Sequence, residues 1–302
     1  MSVLITGASG MIGEALQSRL ESEGVRVAQL TRQSVGDAEP ERIYWHPESG
    51  TLDAEKLEGF RAVVHLAGEN IAGGRWTADK MRRIYDSRVT GTTLLCRVLA
   101  NLKNKPRMLI CASATGYYGD RGDEELNEEA APGRGFLAEV CKAWEQAAAP
   151  AAEAGIRVTH LRIGMVLTGK GGALTRMLPA FRRGLGGPIG GGRQWMSWIT
   201  LEDLTCVIAF CLNTRRMNGV INAVAPNPVQ QRDFAKALGR TLEKPAWLPA
   251  PGFAIRIALG EMGKELLLSS ARVLPERLEQ AGFKWRYPEM DEALTACVAG
   301  DI

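Results

Sequence analysis

Residues 3–13 read VLITGASGMIG, and the reading of this stretch decides the fold. VLIT is strand-like, the glycines that follow have G-x-x-G-x-x-G spacing, and a helical pattern runs on from about Met11 to Glu23. A strand that breaks at once into a glycine turn and then a helix has the form of a phosphate cradle. Gly7 permits the tight turn at the strand end, Gly10 leaves room for a pyrophosphate against the backbone, and Gly13 lets the helix lie close on the sheet. The free amides and positive dipole at the helix start then face the anion. The competing reading is a glycine-rich turn with no ligand. The strand before it, the helix after it and its position near the first residue favour a dinucleotide site.

Working outward, VRVAQLT (25–31), RAVVHLA (61–67), RMLICAS (107–113) and IRVTHLRIG (156–164) are continuous apolar runs separated by helical patterns, one of them from about Thr77 to Leu102. Strands of that kind belong to a parallel sheet covered on both faces, and right-handed crossovers make it doubly wound. The expected class is therefore α/β, a Rossmann-type doubly wound parallel sheet with a smaller C-terminal substrate lobe. After about residue 164 glycine- and proline-rich loops increase: GKGGA (169–173), GLGGPIGGG (184–192), APNP (225–228) and LPAP (248–251). We expect a dinucleotide-binding domain over 1–165. Residues 166–302 should form mainly the substrate lobe, partly interleaved with the sheet and ending in a distinct segment at about 249–296.

The 302 residues are 45% apolar and 24% charged with a net charge of +3, ordinary for a soluble globular chain large enough for a sizeable core. No run of Lys or Arg exceeds two residues, which argues against nucleic acid or an anionic membrane as main partner. The apolar run LTCVIAFCL (204–212) is about half the ~20 residues a membrane span needs, and the N-terminus has no leader pattern. Six cysteines without a C-x-x-C pair, mostly in apolar surroundings, read as reduced thiols of a cytoplasmic protein. His46, His65 and His160 are too scattered for a metal site. A small-molecule substrate is the expected partner.

The second strand discriminates between cofactors. It ends in QLTRQS (29–34) and offers no acidic residue before Asp37. An acid there would hold the adenosine ribose hydroxyls and repel a 2′-phosphate. Arg32 instead is placed to pair with that phosphate, and Thr31 or Ser34 can hydrogen-bond it. The expected cofactor is NADP(H). The bland reading of Arg32 is a solvated surface charge.

With TGASGMIG, HLAG (65–68), RVTGT (88–92) and SATGYYG (113–119) in view, the chain resembles the extended short-chain dehydrogenase/reductase superfamily. Within it the chain is most similar to the NAD-dependent epimerase/dehydratase-like "epimerase family" proteins, sometimes labelled cell-division-inhibitor-like. That resemblance continues through GENIAGGRW (68–76), GLGGPIGGGRQWMSWITLEDL (184–204) and RVLPERLEQAGFKWRYPEMDEAL (272–294). It implies cofactor contacts at Gly7, Ser9, Gly10, Met11, Ile12 and Gly13, at Thr31 and Arg32, at Leu66, Ala67 and Gly68, and at Arg88, which stands where related enzymes usually carry Asn. Ser113 matches the superfamily's active-site Ser/Thr. SATGYYG has one residue more than the usual Ser-to-Tyr-Gly spacing, so Thr115 competes with it.

The superfamily's Tyr-x-x-x-Lys proton donor is missing. In FLAEVCKAWE (136–145) Leu137 and Cys141 fill those positions, and Lys142 is one residue out of step. Helical geometry turns Cys141 inward with Leu137, Trp144 and Ala148, and puts Lys142 about 100° away, three residues from Glu139 and Glu145 in an exposed salt-bridge pattern. Hydride chemistry needs a proton partner. Cys141 can be a weak acid, a nucleophile or a small core residue. Of Tyr117 and Tyr118, one is expected to pack as the superfamily's Tyr-Gly aromatic and the other can face the pocket. On the substrate side, Arg193 can pair an anionic group with Trp195 and Trp198 as apolar walls, or both tryptophans sit in the core. Glu69 and Asn70 are candidate polar pocket residues, and Asp203 reads as a helix N-terminal charge. Two functions follow: an NADP(H)-dependent oxidoreductase or epimerase-like enzyme with rearranged proton transfer, or a non-catalytic NADP(H)-binding regulatory or sensor protein.

Overall fold

The structure, a computed structural model, describes residues 2–33 and 41–302. The strands in chain order are β1 (Ser2–Thr6), β2 (Arg26–Thr31), β3 (Arg42–His46), β4 (Thr51–Leu52), β5 (Ala62–His65), β6 (Met108–Ala114), β7 (Glu125–Leu126), β8 (Arg157–Ile163), β9 (Met165–Leu167), β10 (Trp195–Met196), β11 (Trp198–Thr200), β12 (Gly219–Ala223), β13 (Val229–Gln230) and β14 (Arg272–Val273). Eight of them form the central sheet in the order β12-β8-β6-β5-β1-β2-β3-β4. Every pair in it is parallel except β3 with β4. The fold is the expected Rossmann-type α/β sheet.

Burial on both faces explains the unbroken apolar runs. Val3 and Ile5 of β1, Val64 of β5 and Ile110 of β6 face one way, toward Leu16 and Leu20 of α1 (Met11–Ser22) and Leu204, Val207 and Ile208 of a later helix. Their neighbours Leu4, Val63 and Leu109 face the other way, toward Leu95 and Leu99 of α2 (Ala78–Asn101). The period of two along each strand thus feeds two cores. The next helices are α3 (Phe136–Gln146), α4 (Ala149–Glu153), α5 (Gly172–Arg182), α6 (Leu201–Asn213), α7 (Gln231–Thr241) and α8 (Gly252–Leu259). A third core lies under α5, α7 and the last helix, Met290–Ala299, with Trp198 fully buried inside it.

Three sheet strands escape the sequence reading, the two-residue β4 among them. In β3, RIYWH, only Ile43 and Trp45 are buried while Tyr44 is exposed, the alternation of a strand near an edge. In β12, GVINA, five residues return from the glycine-rich half to pair with β8 at the far edge. All three are short, and none has the continuous apolar run that marks the central strands.

Candidate functional site

The sheet order reverses at β1, which pairs with β2 on one side and β5 on the other. By the rule for open α/β sheets, the ligand crevice lies there, at the carboxyl ends of the strands. The glycine turn sits in it. Gly7 has φ of +72°, and a Cβ on it would lie 2.8 Å from the Ala67 nitrogen of the neighbouring loop. A Cβ on Gly13 would collide with the Gly7 carbonyl oxygen and Ala8. Those two glycines are therefore explained by the protein's own packing. Gly10 is different, since a Cβ there would meet only the Gly7 oxygen, at 3.3 Å. It is the N-cap of α1 and no side chain among the described residues caps the helix, so the first-turn amides that every α-helix leaves unpaired face the crevice without an acceptor among those residues. The donor set fits a phosphate group.

Thr31 ends β2, and its Oγ1 accepts from the Gln33 amide at 3.2 Å. Arg32 is exposed and close enough to Glu69 for its charge to favour that carboxylate. Ser34 and Asp37 lie outside the described residues. Across the crevice, Leu66 and Ala67 amides donate to Thr6 Oγ1, each at 3.2 Å. Buried His65 ties the strand ends together, with Nδ1 2.6 Å from Thr6 Oγ1 and Nε2 2.9 Å from Thr92 Oγ1 of α2. Burial pulls its pKa down to about 4, so it is neutral and structural.

Arg88 reaches from α2 over Gly68, and its Nη1 donates to the carbonyls of Glu69 (3.1 Å) and Ile84 (3.2 Å). Its guanidinium lies 5.0 Å from the centroid of the Trp144 ring on α3. Glu69 is engaged by Lys80 Nζ at 2.6 Å, with Arg83 at 3.9 Å, and the Lys80 hydrogen bond holds its carboxyl below the usual range. Asn70 Oδ1 accepts from the Ala72 amide at 2.9 Å. Both candidate pocket residues thus have local partners within their own loop and the start of α2.

On α3, Leu137 and Cys141 are buried and Lys142 is exposed, as helical spacing requires. Burial, then the nearby Glu145 charge, pushes the Cys141 thiol up to about 11, which keeps it protonated. The exposed Lys142–Glu145 pattern is not what forms. Glu145 turns into the protein and accepts from Arg162 Nε and Nη2, both at 2.9 Å, and from Ser113 Oγ at 2.8 Å. Ser113 and Arg162 are register partners on β6 and β8. A carboxylate over that pair neutralises the buried guanidinium and takes the serine hydroxyl's proton-donating direction.

The extra residue of SATGYYG is absorbed by a 3-10 turn over Thr115–Tyr118. The turn separates the two tyrosines. Tyr118 is fully buried, accepts from Arg162 Nη1 at 2.9 Å and donates to Asn222 Oδ1 at 2.7 Å, and burial pushes its pKa up to about 12. Tyr117 is half-buried, with Arg162 Cζ 3.3 Å from its ring centroid, and its hydroxyl makes no hydrogen bond among the described residues.

Trp198 belongs to the core, its Nε1 donating to the Asn227 carbonyl at 2.9 Å. Trp195 is half-buried, donates from Nε1 to Asp123 at 2.8 Å and stacks under Arg272, 4.5 Å from Cζ to ring centroid. Arg193 is exposed and has no ion pair among the described residues. Asp203 is structural: its amide donates to Thr200 Oγ1, and its carboxylate accepts from the amides of Arg286 (2.7 Å) and Tyr287 (3.0 Å).

Sequence reasoning missed Glu265. It lies in a π-helical turn over Lys264–Leu268, and its two oxygens accept from the Phe136 and Leu137 amides at 3.2 Å each. The carboxylate caps α3 beside the position where the superfamily tyrosine would stand. It fits because residue 135 is glycine, whose Cβ position is taken by the carboxylate. Burial holds its pKa above the ordinary value, partly offset by the two amides. No local signal could reveal a cap supplied from about 130 residues away.

Comparison with known proteins agrees with this geometry. The family model described as NAD dependent epimerase/dehydratase matches residues 3–223, and a domain of unknown function, DUF1731, matches 250–297. "Epimerase family protein ML0860" of Mycobacterium leprae is 41% identical over 293 residues, covering 97% of this chain and 94% of that protein. "Epimerase family protein YfhF" of Bacillus subtilis is 34% identical, covering 99% and 98%. The crystal structure of human epimerase family protein SDR39U1 (isoform 2) with NADPH superimposes with a TM-score of 0.91 at 31% identity, covering 99% of both chains. The chain belongs to the NAD dependent epimerase/dehydratase family.

Proposed function

We propose that this chain binds NADP(H) and uses it in an oxidoreductase or epimerase-like reaction on a small molecule. The observation that carries the cofactor reading is Gly10. Among the described residues no side chain uses the space beside it, and the unpaired amides of α1 border that space. In this reading Gly7, Ser9, Gly10, Met11, Ile12 and Gly13 hold the pyrophosphate. Thr31 and Arg32 hold the 2′-phosphate, and Leu66, Ala67, Gly68 and Arg88 border the rest of the dinucleotide. The NADPH in the human relative supports the phosphorylated form.

The bound cofactor would supply or accept a hydride at its nicotinamide ring. Of the three candidate proton carriers, Tyr117 is favoured. Its hydroxyl has no partner among the described residues and its ring rests on a cation, whereas Ser113 donates to Glu145 and Cys141 is buried and protonated. Ser113 can orient a reacting carbonyl oxygen only by turning its proton from Glu145 to that oxygen. Arg193, exposed and unpaired, is the group left for an anionic part of the substrate, with Trp195 beside it. Glu69 and Asn70 shape the loop at that end.

The second reading, a cofactor-binding protein without turnover, is favoured by Leu137 at the tyrosine position. NADPH oxidation, followed by absorbance with a panel of small carbonyls and sugar nucleotides, separates the two. The enzyme reading expects turnover with at least one of them and a loss of about a hundredfold or more in Tyr117→Phe. Tight NADPH binding with no oxidation, and no small molecule retained in mass spectra, would establish the second.

A further inference from the structure

Seven large apolar side chains stand exposed among the described residues, and five of them gather on one surface: Leu185, Trp247, Leu248, Phe253 and Ile257. Folding brings their segments together. The Leu248 amide donates to the Gly186 carbonyl (3.2 Å), Ala250 to Pro188 (2.8 Å) and Gly190 to Ala250 (2.8 Å). α8 starts two residues later and carries Phe253 and Ile257 four apart, hence on one face. Trp247 is 74% exposed, Ile257 71% and Phe253 69%, far more than scattered surface apolar residues need.

The charge of this surface is mainly positive. Residues 181–190 and 243–261 contain Arg182, Arg183, Lys244 and Arg256 against Glu243 and Glu261. All four cations are exposed, and none forms an ion pair among the described residues, whereas Glu261 pairs with Lys264. The whole chain balances 37 basic against 34 acidic residues, so the patch is a local departure that the scattered charges of the sequence conceal. A second copy docked on this face would set its surplus of cations against the same surplus, since a two-fold interface pairs a patch with itself. An anionic lipid surface satisfies both features. Exposed Trp, Phe and Ile settle at the headgroup level, and cations are drawn to the negative leaflet.

We propose that the face built by α8 and the 184–190 and 244–250 segments docks on anionic phospholipid membranes. The attachment is peripheral, because no helix among the described residues is long and apolar enough to cross a bilayer. The proposal stands independently of the cofactor reading.

The test is co-sedimentation of the full chain with vesicles of phosphatidylcholine alone or of phosphatidylcholine mixed with phosphatidylglycerol. Binding is expected to the mixed vesicles only and to weaken with salt. The double substitution Phe253→Ser with Ile257→Ser should weaken it by at least about tenfold. Arg182→Ser and Arg183→Ser should each weaken it by about fivefold. All these side chains are exposed, and NADPH binding, measured in parallel, should not change. Absence of binding to the mixed vesicles, or binding that survives both sets of substitutions, would overturn the proposal. So would a dimer in sedimentation velocity that Phe253→Ser with Ile257→Ser dissolves, which would assign the face to a second copy.

Discussion

Cys141 and Lys142 are neighbours in sequence and point about 100° apart on α3, one buried and one in solvent. Helical spacing alone predicts this outcome, because the apolar face of an eleven-residue helix is a local property. Glu145 is the counterexample. Its spacing from Lys142 reads as a surface pair, yet its partners are Arg162 and Ser113 on two strands that only the sheet brings together. The fold therefore depends on that carboxylate. Glu145→Gln should cost about 3–5 kcal/mol in urea unfolding, because it leaves Arg162, 3% exposed, with an uncompensated charge. Ser113→Ala should cost about 1 kcal/mol. A loss below that for Glu145→Gln would show that the guanidinium is solvated. At the cofactor end, Arg32→Ala should weaken NADPH binding by about 1.5–3 kcal/mol and leave NADH nearly unaffected. Equal losses for both cofactors would remove Arg32 from the 2′-phosphate.

The elements meet through polar staples that no local pattern announces. His65 joins the ends of β1 and β5 to α2 through two threonines. Its pKa falls to about 4 in the folded chain from an ordinary 6.5, so between those values the unfolded chain binds more protons than the folded one. The stability that neutral His65 contributes is therefore complete above pH 6.5 and drains away as pH falls toward 4. Between pH 7 and 5 the chain should lose about 2 kcal/mol more than the His65→Asn variant does, by urea titration at each pH. Parallel losses would contradict it. Glu265 staples the C-terminal segment to the first turn of α3. Glu265→Ala should cost about 1 kcal/mol as a lost cap and speed hydrogen exchange at the Phe136 and Leu137 amides. Unchanged exchange there would show that solvent caps the helix equally well.

Across the whole molecule, what was legible in the sequence was what the chain encodes locally. The glycine turn, five apolar strands and the long helix lie where their residues put them. What was not legible depends on pairing at a distance: β12 at the sheet edge, the carboxylate under Ser113, the cap on α3 and the exposed apolar surface around α8. The crevice between β1 and β5 draws on both kinds of information. Its glycines are set by sequence, and the close approach of the loop after β5 to Gly7 exists only in the assembled sheet. Isothermal titration of the purified chain with NADPH and, separately, with NADH tests whether that crevice is a dinucleotide site. The expected result is saturable one-to-one binding with NADPH at least about tenfold tighter, the scale of a single charged hydrogen bond. No heat with either cofactor, or tighter binding of NADH, would contradict it.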